Sequence, residues 1–151
     1  MFRGNIPAKI DEKGRLKLPV AFKQLLDAAN VTQFYITSVD GKKAEIWPLP
    51  EWEKREKKLL KSSTMNDAVE KYLNLTSYFG QQVEMDNQGR VLIPQILRGA
   101  AKMNAEVAVM GTIDHLVAQN LTDADESISA NKMTAEDRRA VNALISDETQ
   151  G

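Results

Sequence analysis

Apolar and polar residues follow the same order twice along this chain. Ile6 to Ile10 reads as a short extended segment, and Arg15 to Leu18 then alternates, with Leu16 and Leu18 on one face and Arg15 and Lys17 on the other. Pro19 predicts a helix start, because its missing N–H is harmless in the first turn. Phe22, Leu25, Leu26 and Ala29 give that helix an apolar stripe, and Asn30 is its expected stop. Phe34 to Thr37 and Ala44 to Trp47 then read as a hairpin around Asp40-Gly41. Much later the order returns. Val83 and Met85 mark a strand, Arg90 to Ile93 a second, and Pro94 opens a helix carrying Leu97, Ala100 and Ala101. A hairpin-like region follows, from Val107 and Val109 through Gly111 to Leu116 and Val117. The copies part at their ends: Ile46-Trp47-Pro48 in the first, Ala118-Gln119-Asn120, with no aromatic anchor, in the second.

Between the copies the period is helical. Glu51 to Lys61 carries Trp52 and Leu59 on one face, with acids early and lysines late as the helix dipole favours. Ser62-Ser63-Thr64 is read as a break before a second helix from about Asn66 to Phe79, with Val69, Tyr72, Leu73 and Thr76 in register and Gly80 as the stop. This pair reads as a linker or an insertion, without counterpart at the start of the chain. From Leu121 onward the chain is acidic, with Asp123, Asp125, Glu126, Asp147 and Glu148. Thr134 to Asp137 can cap a helix through Leu144 and Ile145, and the ends of the tail are expected to be mobile. The expected divisions are residues 1–50, a helical connector 51–80, residues 81–120, and a partly helical or mobile tail 121–151.

Both copies contain one nine-residue stretch. Asp11-Glu12-Lys13-Gly14-Arg15-Leu16-Lys17-Leu18-Pro19 returns as Asp86-Asn87-Gln88-Gly89-Arg90-Val91-Leu92-Ile93-Pro94. Asp first and Gly fourth is the signature of a type I turn closed by a left-handed glycine, a geometry that joins two strands through a bulge. Asp11, Gly14, Asp86 and Gly89 are therefore the turn-formers, and Arg15 and Arg90 leave the turn at a hairpin tip. A unit of about 45 residues cannot bury an adequate core alone. Two in one chain can pair as a pseudo-dimer, strands of each completing the other's sheet. The expected fold is α+β and β-rich, a small β-barrel-like or interleaved hairpin core flanked by helices.

Charge and composition narrow the chemistry. Lys plus Arg is 20 against Asp plus Glu at 21, a net charge of -1, so any basic surface is local. The absence of cysteine excludes disulfides and thiolate metal sites and fits a reducing cytoplasm. No apolar run approaches the roughly 20 residues of a membrane span. Met1 to Asn5 lacks the apolar core of a signal peptide, so a soluble intracellular protein is expected. One aspartate per half, Asp11 and Asp86, has the layout of an aspartic-protease dyad. An arginine four residues on would instead hold each carboxylate ionised, the opposite of a shared proton. His115 is the sole histidine, which excludes a multi-histidine metal site, and alone on an expected strand it reads as structural. No glycine-rich phosphate loop is present. No enzyme, metal or cofactor is expected.

Binding chemistry has better candidates. Arg3, Lys9, Lys13, Arg15, Lys17 and Lys23 outnumber Asp11 and Glu12 near the N-terminus. Guanidinium and ammonium groups at a ribbon tip can reach phosphates or a major groove. An equally open reading is a solvated charged face with Arg15 paired to Asp11. The second turn is poorer in charge: Gln88 stands for Lys13 and Leu92 for Lys17, leaving Arg90 as its cation.

The doubled Asp-x-x-x-Arg, each followed by an apolar-Pro pair, resembles the duplicated SpoVT/AbrB-type arrangement of the MraZ family. Met1-Phe2-Arg3-Gly4, Pro48-Leu49-Pro50-Glu51-Trp52-Glu53 and Met110-Gly111 support the match, which covers roughly residues 1 to 118. The resemblance implies two swapped-hairpin half-barrels forming an intramolecular pseudo-dimeric barrel, and protomers assembled as a ring. It implies a bacterial, nucleoid-associated, cytoplasmic regulator that binds direct repeats of double-stranded DNA upstream of the division and cell-wall gene cluster and represses its own operon. Carried over by position, the motif arginines are Arg15 and Arg90, with Lys13 beside the first and Gln88 beside the second. Arg15 is then the central DNA contact, with Arg3, Lys9, Lys13 and Lys17 on phosphates. The second copy lacks the family's Trp-containing strand end, and nothing in the pattern matches the acidic tail, which is expected to be a solvated appendage. The rival function is an antitoxin-like protein-interaction module of the same AbrB type, with residues 121–151 holding a partner.

Overall fold

The computed structural model describes residues 1–62 and 66–150 of the chain. The first half runs β1 (Asn5–Lys9), β2 (Arg15–Lys17), α1 (Val20–Ala28), β3 (Gln33–Thr37), β4 (Lys43–Pro48), α2 (Leu49–Lys61) and α3 (Asp67–Tyr78). The second runs β5 (Gln81–Glu84), β6 (Arg90–Leu92), α4 (Gln95–Ala100), β7 (Glu106–Thr112), β8 (His115–Asn120), α5 (Leu121–Ala130) and α6 (Ala135–Gln150). Two rounds of β-β-α-β-β-α-α make a mixed α+β protein.

Strand pairing ties the halves together. One sheet has six strands in the order β1-β7-β8-β4-β3-β5, and β2 and β6 form a separate ribbon. All the pairs are antiparallel. Each half thus places its first strand against the third strand of the other: β1 on β7, with Ile6 opposite Val109, and β5 on β3, with Val83 opposite Phe34. The last strands meet in the middle, Ala44 opposite Ala118 and Ile46 opposite Leu116. Among the described residues the sheets do not close into a barrel.

This pairing corrects one expectation. The turn at Asp11–Gly14 does not close a hairpin ladder between β1 and β2, which share a single bridge, Ile10 to Leu16. Beyond it the strands diverge. The Ile10 N–H donates to the Ala105 carbonyl at 2.8 Å and β1 follows β7, while β2 leaves for β6. The cause is burial. One three-residue strand against one five-residue strand covers little apolar surface, whereas exchange puts Leu16, Val91, Ile36, Ile46, Val107 and Val109 in one fully buried core.

Helix starts and stops follow local chemistry. Pro19 and Pro94 occupy the N-cap positions of α1 and α4. Phe22 and Leu26 bury one face of α1, while Leu25 remains 42% exposed, so the stripe is narrower than its spacing suggests. Asn30 stops α1 at φ +56, and after α4 the same left-handed position is held by Lys102 at φ +54. The β7–β8 turn lies past Gly111, between the paired Thr112 and His115, with Ile113 at φ +67. Ser62 is the C-cap of α2; Ser63 and Thr64, the rest of the expected break, lie outside the described residues.

The helices extend the duplication. α2 starts directly after β4 and α5 directly after β8, and the inward residue is Trp52 in the first, Ala124 in the second. Trp52 stacks on Tyr35 at 4.7 Å between ring centroids and meets Trp47 edge-on at 5.6 Å. Asn66 caps α3 through the Ala68 N–H at 2.8 Å, and Thr134 and Asp137 cap α6 reciprocally, each side chain accepting the other's N–H at 3.0 Å. The α5–α6 pair thus follows β8 as α2–α3 follows β4, within the segment expected to be partly helical. His115 is structural: its ring lies flat on Trp47, 3.9 Å between centroids, and joins the two halves.

Candidate nucleic-acid interface

The β2–β6 ribbon pairs Arg15 with Leu92, Leu16 with Val91 and Lys17 with Arg90. Strand side chains alternate in direction, and Leu16 and Val91 are fully buried, so Arg15, Lys17, Arg90 and Leu92 share the opposite, outward face. The strand exchange thus brings the motif arginines of both halves onto one small ribbon.

Each arginine is held by its own turn. In the first, the Gly14 N–H donates to the Asp11 carbonyl at 3.0 Å, closing a four-residue turn with Gly14 at φ +84. The Asp11 carboxylate accepts the N–H groups of Lys13 at 3.0 Å and Arg15 at 2.9 Å, and its other oxygen accepts Arg15 Nε at 2.8 Å. The second turn repeats this. The Asp86 carboxylate accepts Gln88 N–H and Arg90 N–H at 2.9 Å and Arg90 Nε at 2.8 Å, with Gly89 at φ +74. Arg90 Nη1 also lies 3.9 Å from Asp11 Oδ2, so Asp11 sits between both guanidinium groups.

These contacts decide the aspartates' protonation. The Arg15 backbone N–H, its side chain and the Lys13 N–H hold Asp11 below the ordinary carboxylate range, and Arg90 with the Gln88 N–H does the same for Asp86. Both stay ionised, which removes the dyad reading. Engaging Nε also fixes each arginine's rotamer while leaving its terminal Nη groups as donors.

The turns lock across the pseudo-symmetric pair. The Ile93 N–H donates to the Gly14 carbonyl at 3.0 Å and the Leu18 N–H to the Gly89 carbonyl at 2.9 Å. A Cβ at Gly14 would fall on the Arg98 guanidinium of α4, and one at Gly89 on the Lys23 side chain of α1. Arg98 Nε donates to the Ile93 carbonyl at 2.9 Å, and Lys23 pairs with Asp27 at 2.7 Å. Arg98 is a cation at the tip that sequence reading passed over. The signal was present, since it stands four residues after Pro94 as Lys23 does after Pro19.

The remaining candidates divide. Lys13 and Gln88 are exposed in the turns, and Lys17 is exposed on the ribbon. Lys9 ends β1 opposite Glu106, next to the first turn. Arg3 precedes the other end of β1, six residues from Lys9 and so about 20 Å away along an extended strand. The structure does not bring Arg3 to the tip. Among the described residues no group of three or more His, Cys, Asp or Glu could hold a metal ion, and no helix is long and apolar enough to cross a membrane.

Fold and face together define a class: a duplicated α+β protein whose halves exchange strands and present one cationic two-stranded ribbon. The chain belongs to the MraZ family, whose model, described as "MraZ protein, putative antitoxin-like", matches residues 1–75 and 80–142. The transcriptional regulator MraZ of Acidobacterium capsulatum is 52% identical over 141 residues, 93% of this chain and 97% of the relative. That of Koribacter versatilis is 46% identical over 145 residues, 95% and 99% of the two chains. A more distant transcriptional regulator MraZ, from Nitrosospira multiformis, is 36% identical over 111 residues, 74% of this chain and 76% of the relative. All three relatives are named as transcriptional regulators. The family match runs past residue 118 to residue 142, so α5 and the start of α6 belong to it.

Proposed function

We propose that this chain is a sequence-preferring duplex-DNA-binding regulator that represses its own operon from direct repeats upstream of the division and cell-wall genes, associated with the nucleoid. The observation that carries the reading is the outward face of the β2–β6 ribbon, where Arg15, Lys17 and Arg90 stand together with two arginine rotamers fixed by Asp11 and Asp86. A two-stranded ribbon fits the major groove, and an arginine with free terminal N–H groups pairs with a guanine edge. Arg15 is the central contact, Arg90 its weaker partner, and Gln88 a neutral hydrogen-bonding counterpart of Lys13. Lys9, Lys13 and Lys17 position phosphates, and Arg3 serves a phosphate away from the ribbon. One protomer supplies few contacts, so useful affinity comes from several protomers, arranged as a ring, engaging repeated sites together. We read the two halves, residues 1–50 and 81–120, as swapped-hairpin half-barrels of one pseudo-dimer. The symmetric exchange of β1 and β5 supports that reading.

The test is a gel shift with the protein's own upstream DNA. Arg15→Ala, whose side chain is 32% exposed and outside the core, should lower operator affinity by about ten- to a hundred-fold while leaving melting and assembly unchanged. Normal binding by the variant would remove Arg15 from the interface. The antitoxin-like alternative draws on the exposed α6. It predicts no shift of upstream DNA by the isolated protein, and co-purification with the product of a neighbouring gene.

A further inference from the structure

The halves exchange more than strands at the ribbon tip. The Gly14 turn is covered by α4 of the second half, through Arg98, and the Gly89 turn by α1 of the first, through Lys23. Arg98 and Lys23 hold the same place in the duplication, four residues after Pro94 and Pro19. Their bonds differ. Arg98 Nε donates to the Ile93 carbonyl at 2.9 Å, and the Ile93 N–H donates to the Gly14 carbonyl at 3.0 Å. Both bonds fall on Ile93, a fully buried residue, so guanidinium, core and turn form one connected unit. Gly14 lies between Lys13 and Arg15, whose N–H groups are held by Asp11 at 3.0 and 2.9 Å.

The second turn has half of this brace. The Leu18 N–H donates to the Gly89 carbonyl at 2.9 Å, but among the described residues no side chain donates to the Leu18 carbonyl. Lys23 turns its Nζ to Asp27 at 2.7 Å and offers Gly89 only its methylenes. At the place of Asp27 the second half has Lys102, so no acid four residues on draws Arg98 away from its turn. A planar guanidinium, held through Nε, is also the stiffer of the two side chains.

We infer that Arg98 is a positioning residue for Arg15: from the opposite half it fixes the turn from which Arg15 reaches DNA, without touching DNA itself. The second turn, braced by lysine methylenes alone, is the more adaptable of the two. This role takes the DNA-binding reading for its consequence, while the brace is measured without DNA, so the two fail separately.

Hydrogen exchange of the full-length protein, read by mass spectrometry, reports the two turns as separate peptides of one molecule. Arg98→Ala should speed exchange across residues 11–17 about fivefold or more and leave 86–92 within about twofold of wild type. Arg98→Lys, which keeps the charge but loses Nε, should behave like Arg98→Ala, and Lys23→Ala should leave both turns within about twofold. No change across 11–17, or equal loosening of 86–92, overturns the brace. Wild-type exchange in Arg98→Lys does so too, since charge alone would then suffice. Binding to the protein's own upstream DNA is then titrated against salt. Arg98→Ala should bind about three- to tenfold more weakly with an unchanged salt slope. Unaltered affinity overturns the positioning role, and a slope flatter by about 0.9 overturns it by making Arg98 a phosphate contact. Failure of the wild type itself to bind that DNA would overturn the DNA-binding reading, and Arg98's role in it, whatever the exchange shows.

Discussion

The two turns share a backbone and differ in what they present. Asp11 and Asp86 make the same bonds, and Gly14 and Gly89 take the same left-handed conformation. Yet the first turn carries Glu12, Lys13 and Lys17 where the second carries Asn87, Gln88 and Leu92. Groups that hold the turn are repeated, and groups that face outward are free to differ. The helical pairs repeat the lesson. Each is set directly after the last strand of its half, but a packed tryptophan in one is an alanine in the other. Duplication thus supplies a symmetric frame, and function is written in its asymmetries.

The largest expected effect separates the helical pairs. Trp52→Ala should cost about 3 to 5 kcal/mol, because a 4%-exposed ring packed on Tyr35 and Trp47 is lost and a cavity remains. Ala124→Gly, at the corresponding place, should cost about 1 kcal/mol, the helix-propensity difference. Urea unfolding measures both, and equal losses would break the distinction between a clamped and a lightly held pair.

Next come the turn glycines. Gly14→Val and Gly89→Val should each lower stability by about 2 to 3 kcal/mol, since a β-branched residue resists positive φ and its Cβ meets Arg98 or Lys23. If one variant melts like wild type, the two turns are not equivalent in backbone.

A smaller effect tests the outward face. Leu92→Lys restores the charge of the first copy and should steepen the salt dependence of DNA binding by about 0.9 if the new lysine meets one phosphate. Lys17→Leu should flatten it by the same amount. Binding titrated against salt decides, and no change in either would place the ribbon edge away from phosphate.

The smallest effect is in pH. Both carboxylates titrate below their ordinary value of 3.8 in the folded chain, so their contribution is complete above that value. It is lost as pH falls through the lower folded-state values. Between about pH 5 and about pH 2 the wild type should lose more stability than Asp11→Asn or Asp86→Asn. Asp11→Asn should remove more of this pH dependence than Asp86→Asn, because Asp11 also faces Arg90 at 3.9 Å.

What could be read without coordinates was local. Pro19 and Pro94, the Asn30 stop, the Asp40-Gly41 turn and the Asp-to-Gly turns all act within a few residues and leave their mark in residue type. The need for two units to share a core followed from size. Partner choice did not: nothing in Asn5–Lys9 says that it leaves Arg15–Lys17 for β7, because that choice depends on the burial of the whole core. The β7–β8 hairpin falls within the expected region, but its turn residue does not announce itself, since Ile113 takes positive φ without being glycine or asparagine, as Lys102 does after α4. α6 is announced by its Thr134–Asp137 cap, whereas α5 is hidden because its inward residue, Ala124, buries too little to stand out as Trp52 does. At the tip, Arg15 and Arg90 were found by repetition. Arg98 repeats the place of Lys23 after the helix-starting proline, but its position over Gly14 is not legible, because that turn belongs to the opposite half.

Strand exchange also sets the order of events at the ribosome. When the first half has emerged, β1 awaits β7, β2 awaits β6, and β4 awaits β8. Their hydrogen-bonding edges stay open until the second half is synthesised, so folding of the sheet is a late step that involves nearly the whole chain. A message truncated in the second half would therefore yield a product with unpaired strand edges, not a smaller working protein.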